Sequence, residues 1–243
     1  MGDWLQYFDS LHEQRMFEVE AADFVERLAW VVPLTPGMRV LDFGCGFGFS
    51  AAPLGRKVGE VVLWDGSPNM RRRAATTIAG VANARALTVE PDPSGEQRVD
   101  LILVNSVIQY MTAEQLQRWL AAWRGLVAPG GRLVLADVIP TSVRSYRDLF
   151  GQIMFGLRRG FLVTALTGGA EVRRYWAMRR ARPLTTFSRQ HLEHLAAAAD
   201  FEVAFLPSNL TCRTARLSLV LTPRLTETPR PADGRRQETA GGA

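Results

Sequence analysis

The stretch VLDFGCGFGFSAAPL, Val40 to Leu54, decides the fold. An apolar run ends in Asp42, passes glycines at 44, 46 and 48, and enters small residues that predict a helix from about Gly48. Working outward, the same alternation repeats. EVVLWD (60–65) predicts a second strand, and PNMRRRAATTIAG a helix with Pro68 at its first turn. ALTVE (86–90) is a weaker third strand, and VDLILVN (99–105) is a continuous apolar run typical of a parallel strand covered on both faces. TAEQLQRWLAAWRGLV opens with a Thr112–Gln115 capping box, and PGG then turns the chain into RLVLADVI, a fifth strand. Ahead of the quoted stretch, Leu5, Phe8, Leu11, Phe17, Phe24 and Leu28 recur at helical spacing. Behind it, a helix capped by Ser188 precedes FEVAFLP and RLSLVLTP, two strands suited to an antiparallel pair. Strand–helix alternation of this kind builds a doubly wound parallel sheet.

Of 243 residues, 47% are apolar and 22% charged, a globular composition with enough material for a core. Cys45 and Cys212 match no metal-ligand spacing, which argues against a zinc or disulfide scaffold and for a reducing compartment. The first residues lack a signal-peptide pattern, and no apolar run is long enough to cross a bilayer, so the expected location is cytoplasmic. The net charge of +5 is concentrated: residues 141–182 hold nine arginines against Asp148 and Glu171. From about Thr226 the composition is too polar to bury a core, and disorder is expected there.

In an open α/β sheet, ligands bind at the carboxyl ends of the strands where strand order reverses. Glycine in the first strand-to-helix turn lets a ligand approach main chain directly. Asp65 ends the second strand, where an acid can accept hydrogen bonds from both hydroxyls of a ribose. Together these signals predict a nucleoside-containing ligand. The dinucleotide fingerprint needs a third glycine where this chain has Phe49, which lowers that reading.

Four ordered stretches, VLDFGCGFG (40–48), WDGSPNM (64–70), VDLILVNSVIQYM (99–111) and LVAPGGRLVLADV (126–138), resemble class I S-adenosylmethionine-dependent methyltransferases. The resemblance implies a Rossmann-like, mostly parallel seven-stranded sheet of order 3-2-1-4-5-7-6 with the last strand antiparallel. It divides the chain into an N-terminal helical cap (1–36), a cofactor-binding core (37–140), a helical arginine-rich lid (141–185), a helix and strand pair completing the sheet (186–225) and a tail (226–243). It implies S-adenosylmethionine as cofactor, S-adenosylhomocysteine as product, and no metal. Asp42 and the backbone of Gly44, Cys45, Gly46 and Gly48 would surround the amino-acid end of the cofactor, with Cys45 a small loop residue rather than a nucleophile. Asp65 would hold the ribose, with Gly66, Ser67 and Met70 near the sugar or adenine and Asn105 and Ser106 on the methionine side. The loop after the third strand offers Glu90 or Asp92 to the adenine. Gln109 and Tyr110 match positions that face the acceptor, Tyr110 and His12 are the candidate catalytic residues, and Arg144 and Tyr146 are candidate acceptor contacts.

The expected partner is a small-molecule acceptor, anionic or apolar, with the chain a monomer or homodimer. Nucleic acid is disfavoured, since no recognised binding module or base-methylase motif is present. Three readings of residues 141–182 stay open: an acceptor-binding lid, an interfacial helix on an anionic membrane, and a helical dimer contact. Two rival functions also stay open. One is a cyclisation or rearrangement with the cofactor bound but unreacted. The other is a basic membrane- or nucleic-acid-binding protein on a degenerate fold.

Overall fold

The computed structural model describes Trp4 and residues 15–95, 97–142 and 169–224. Seven strands form one sheet of order β3-β2-β1-β4-β5-β7-β6. They are β1 (Arg39–Phe43), β2 (Glu60–Trp64), β3 (Ala84–Ala86), β4 (Val99–Asn105), β5 (Val127–Val138), β6 (Phe201–Phe205) and β7 (Leu217–Pro223). β7 runs antiparallel to both β5 and β6, while β1 to β5 are parallel. The expected fold class is therefore the observed one. β1 pairs with β2 on one side and β4 on the other, so the strand order reverses beside it. A crevice for a ligand opens at such a switch point.

Helices cover both faces. α1 (Arg15–Val31), α2 (Ala51–Gly55) and α3 (Pro68–Thr77) pack one core, built on Phe24, Leu28, Leu54, Ala74 and the outward side chains of β1, β2 and β4. α4 (Ala113–Leu126) and α6 (Arg189–Ala198) close the other, with α5 (Gly169–Ala181) lying between β5 and α6 in sequence. In that second core Phe43 sits 4.6, 4.5 and 5.0 Å from the rings of Trp64, Trp119 and Trp123. Both edge-on contacts and burial make this cluster a fixed floor under the β1–β2 strand ends.

Local chemistry sets the helix starts. Ser67 accepts from Met70 N at 3.0 Å with Pro68 in the first turn, and Ser188 accepts from His191 N at 3.1 Å. The Thr112–Gln115 capping box forms in both directions, at 3.2 and 2.8 Å.

Three local expectations are corrected. The helix expected from Gly48 starts at Ala51 and lasts five residues, since Gly48 at φ 78° lies outside the right-handed helical region. The third strand is Ala84–Ala86 rather than 86–90, because only those residues pair with β2. Pro-Gly-Gly lies inside β5 as an irregularity between the Val99↔Val127 and Leu101↔Arg132 pairs, with Gly130 at φ 77°, rather than ahead of the strand.

After β5 the chain returns to the sheet at Phe187, whose N–H donates to Ile139 O at 2.9 Å, while Thr185 N donates to Gln109 O at 2.9 Å. Both ends of the 141–185 region are thus anchored at the carboxyl edge. Its 143–168 portion, like the tail expected from Thr226, lies outside the described residues.

Candidate functional site

The turn after β1 is tied to the end of β2 by its own main chain. Gly44 N and Cys45 N both donate to Trp64 O, at 2.7 and 3.1 Å. Asp65 then bridges the two loops, its Oδ2 accepting from Gly46 N at 2.9 Å and its Oδ1 from Ser67 N at 2.8 Å. The Arg71 guanidinium donates to the Asp65 carbonyl at 2.7 Å and fixes the loop from the far side.

The three glycines have three different reasons. At Gly44 (φ 81°) a β-carbon would come within 2.3 Å of Val107 Cγ2, so the glycine admits protein. At Gly48 it would press on Ala74 at 3.1 Å, the close packing of turn on helix that the displaced third glycine of a dinucleotide fingerprint provides. Gly46 (φ 55°) alone opens on space, with nothing within 4 Å of where a β-carbon would stand. It is the position at which a ligand can meet bare main chain.

Asp42 lies at the carboxyl end of β1, buried, and accepts a short hydrogen bond from Ser50 Oγ. Burial pushes its carboxyl up to about 6, against the lowering pull of Ser50 and with the nearby Asp65 charge adding to the rise. Burial and the same two acids also push the Cys45 thiol well above its usual value, so Cys45 is a poor nucleophile. Gly66 follows Asp65 in the loop, whereas the Ser67 hydroxyl is spent on capping α3 and Met70 is packed into the core. Glu90 is exposed in the loop after β3, and Asp92 accepts from Ser94 N and Oγ at 2.9 and 2.7 Å, shaping its own turn.

Across the crevice, Asn105 ends β4 and Ser106 follows at φ 59°. Gln109 is buried with its Oε1 lacking a hydrogen-bond partner among the described residues, and Tyr110 packs on Trp4 with ring centroids 4.9 Å apart. His12, Arg144 and Tyr146 lie outside the described residues.

One group of residues escaped the sequence reading. Asp137, at the end of β5 with φ 63°, is fully buried and gathers the 206–216 connection around itself. It accepts from Ser106 Oγ at 2.6 Å, Thr211 Oγ1 at 2.7 Å and Arg216 at 2.7 Å, with Arg213 at 3.5 Å. Asn209 receives the Asp137 N–H at 3.2 Å and donates to Thr211 Oγ1 at 2.7 Å. Burial alone would raise the Asp137 carboxyl, but Arg213, Arg216 and the two hydroxyls outweigh it and hold the group below its usual value. Beside this cluster, Glu20 of α1 has its carboxyl raised by burial, with Arg213 and the Cys212 thiol pulling the other way. The only sequence signal for Glu20 is an acid within the apolar stripe Phe17, Phe24 and Leu28.

Two concavities flank these residues. One, of about 570 Å³, is a groove on the helical flank lined by Phe49, Pro53, Arg73 and Thr77. The other, of about 120 Å³, lies at the strand ends between α1, Asn105–Ser106 and Thr211–Arg213.

Comparison with known proteins agrees with this geometry. The family model of a methyltransferase domain matches residues 41–133. An uncharacterised methyltransferase of Synechocystis sp. is 31% identical over 105 residues, 43% of this chain and 49% of that protein. A ubiquinone biosynthesis O-methyltransferase of Cereibacter sphaeroides is 32% identical over 121 residues, 49% of this chain and 48% of that protein. The chain thus spans about half the length of the curated relatives it matches. Among solved structures, magnesium protoporphyrin IX methyltransferase from Synechocystis PCC 6803 with bound SAH superposes with a TM-score of 0.56 at 16% identity, over 90% of each chain. Residues 41–133 thus match a methyltransferase-domain family, and the sheet around them has the fold of the methyltransferase structures on which it superposes.

Proposed function

We propose that this chain transfers a methyl group from S-adenosylmethionine to a small-molecule acceptor. The observation that carries the reading is the Asp65 carboxylate bonded to the Gly46 amide, beside main chain that faces open space. A carboxylate offers about four acceptor positions, so a ribose diol can join or replace the amide donors there. The residues present therefore fit an adenosyl ligand. The cofactor, when bound, supplies an electrophilic methyl on a sulfonium.

Everything else falls to the chain. Gly44–Gly46 backbone and Asp42 would hold the amino-acid end, Asn105 and Ser106 the methionine side, and Asp65 the ribose. Asp92 is spent on its own turn, which favours Glu90 for the adenine amino group. Gln109 and Tyr110 would face the acceptor, with residues 141–185, including Arg144 and Tyr146, closing over it and excluding water. His12 remains the proposed base at the N-terminal side. The names of two relatives, an O-methyltransferase of ubiquinone biosynthesis and a protoporphyrin methyltransferase, support an acceptor with apolar bulk. A cytoplasmic setting is proposed; no helix among the described residues is long and apolar enough to cross a membrane.

Asp65→Ala tests the assignment. Loss of hydrogen bonds to a charged group should weaken S-adenosylhomocysteine binding by about 1.5–3 kcal/mol, measured by calorimetry. Unchanged affinity would mean that the ribose is held elsewhere.

Asp42 gives a proton readout. Its folded carboxyl sits at about 6, and a neighbouring ammonium favours the ionised form. Binding of S-adenosylhomocysteine at pH near that value should release protons, and affinity should rise as pH increases through it. Calorimetry in buffers of different ionisation enthalpy measures the release, and Asp42→Asn should abolish it.

A further inference from the structure

The 120 Å³ cavity at the strand ends has a composition that the cofactor reading leaves unexplained. Phe17, Glu20, Ala21 and Phe24 occupy positions i, i+3, i+4 and i+7 of α1, so all four present one helix face to it. Ser106, Thr211 and Arg213 form the opposite wall. Asp23 lines the same cavity and is paired with Arg27 at 2.8 Å. Glu20, set between Phe17 and Phe24, must also find a donor, because a carboxyl withdrawn from water without hydrogen bonds is costly. Glu20 has one donor among the described residues, the Cys212 thiol at 3.6 Å, and a thiol is a weak donor. The Arg213 charge opposes the effect of burial on Glu20, but no guanidinium donates a hydrogen bond to it among the described residues. Arg216 is bonded to Asp137 at 2.7 Å and Arg213 lies 3.5 Å from the same carboxylate.

We infer that this cavity takes a ring-bearing, hydrogen-bond-donating group of the acceptor, an aromatic hydroxyl, with Phe17 and Phe24 against the ring and Glu20 accepting its O–H. The inference rests on the methyltransferase reading above and names the acceptor class for that site. Ligand pockets for a whole small molecule run to about 300–1,000 Å³, so a cavity of this size holds one end of the acceptor. It adjoins Asn105 and Ser106, placing that end next to the methionine side of the cofactor rather than at the adenine.

Phenol and anisole test this, since they share the ring and differ in the donor. Ligand-observed NMR on the full chain, with and without saturating S-adenosylhomocysteine, should show phenol binding about tenfold more tightly than anisole. Glu20→Leu should erase that preference, and Glu20→Gln, which keeps an acceptor oxygen and the side-chain volume, should retain it. Melting temperatures recorded on the same samples separate loss of the pocket from loss of the fold. Equal affinity for the two probes, no binding of either, or a preference surviving in a folded Glu20→Leu protein would overturn the inference. Displacement of phenol by S-adenosylhomocysteine would also overturn it, because the cavity would then belong to the cofactor. If S-adenosylhomocysteine fails to bind at all, the methyltransferase reading fails, and the phenol preference is read separately.

Discussion

Asp137→Ala is expected to lower the unfolding free energy by about 3–5 kcal/mol, the cost of breaking a buried ion pair from one side. Arg216, itself 6% exposed, would keep its charge and lose the carboxylate 2.7 Å away, and Arg213 would lose the same group at 3.5 Å. The hydroxyls of Ser106 and Thr211 would lose their acceptor in the same step. The consequence reaches the crevice, because Ser106 holds a left-handed backbone conformation at the end of β4 and Asp137 holds one at the end of β5. With the link between them gone, both strand ends should loosen and S-adenosylhomocysteine affinity should fall with stability. Urea denaturation of the variant and of Asp137→Asn measures the first effect. The Asn variant should lose less, since it keeps the shape and part of the hydrogen bonding.

The same residue predicts an acid limb. Its carboxyl is held below the usual value in the folded chain, so the unfolded chain binds the proton more tightly. The stabilisation is present above the unfolded carboxylate value of about 3.9 and is lost as pH falls through the lower folded value. The wild-type protein should therefore lose stability through that window, and the Asn variant should lose less. A destabilisation under about 1 kcal/mol for Asp137→Ala would place the cluster among surface-like ion pairs and contradict its role.

Gly44→Ala is the second large effect. Its φ of 81° is a left-handed angle that an L residue adopts at a cost of about 1–2 kcal/mol. The added methyl would also stand 2.3 Å from Val107 Cγ2, and overpacking of this kind costs about 1–3 kcal/mol. The expected loss is about 2–5 kcal/mol of stability by urea denaturation. The turn cannot shift to escape without disturbing the bonds from Gly44 N and Cys45 N to Trp64 O, and Gly46 moves with it. S-adenosylhomocysteine affinity should therefore fall by about tenfold or more. Val107→Ala in the same chain should recover the overpacking part and leave the backbone part. If Gly44→Ala is as stable as wild type, the close approach of Val107 is not a constraint on the turn.

How legible the molecule was in its sequence follows from the range of the interactions involved. β4 was readable to the residue because its centre, Leu101–Val104, is buried on both faces and apolar without interruption. The caps at Thr112 and Ser188 were readable because their partners lie three residues away. β3 was displaced because Ala84, Arg85 and Ala86 alternate over only three residues, too few to stand out, and an edge strand is defined by its neighbour. The Pro-Gly-Gly sequence reads as a turn, yet pairing with β4 absorbs it into the strand.

The candidate site divides the same way. Asp42, the glycine turn and Asp65 are local to two strand ends, and their spacing announced them. Ser67 and Met70 stand beside Asp65 in sequence, but a cap and a core position take their side chains. The Asp137 cluster is assembled from residues 31 to 79 positions apart, and Glu20 meets Cys212 across 192. No periodicity records such pairs. Gly44 and Gly46 look alike in sequence and differ only in what stands over them, Val107 in one case and open space in the other.

A crystal structure with S-adenosylhomocysteine bound tests the central claim most directly. The account predicts the ribose hydroxyls on the Asp65 carboxylate and the homocysteine end over the Gly44–Gly46 main chain. A nucleoside lodged instead in the flank groove beside Phe49 and Arg73, with the Gly46 turn untouched, would contradict it.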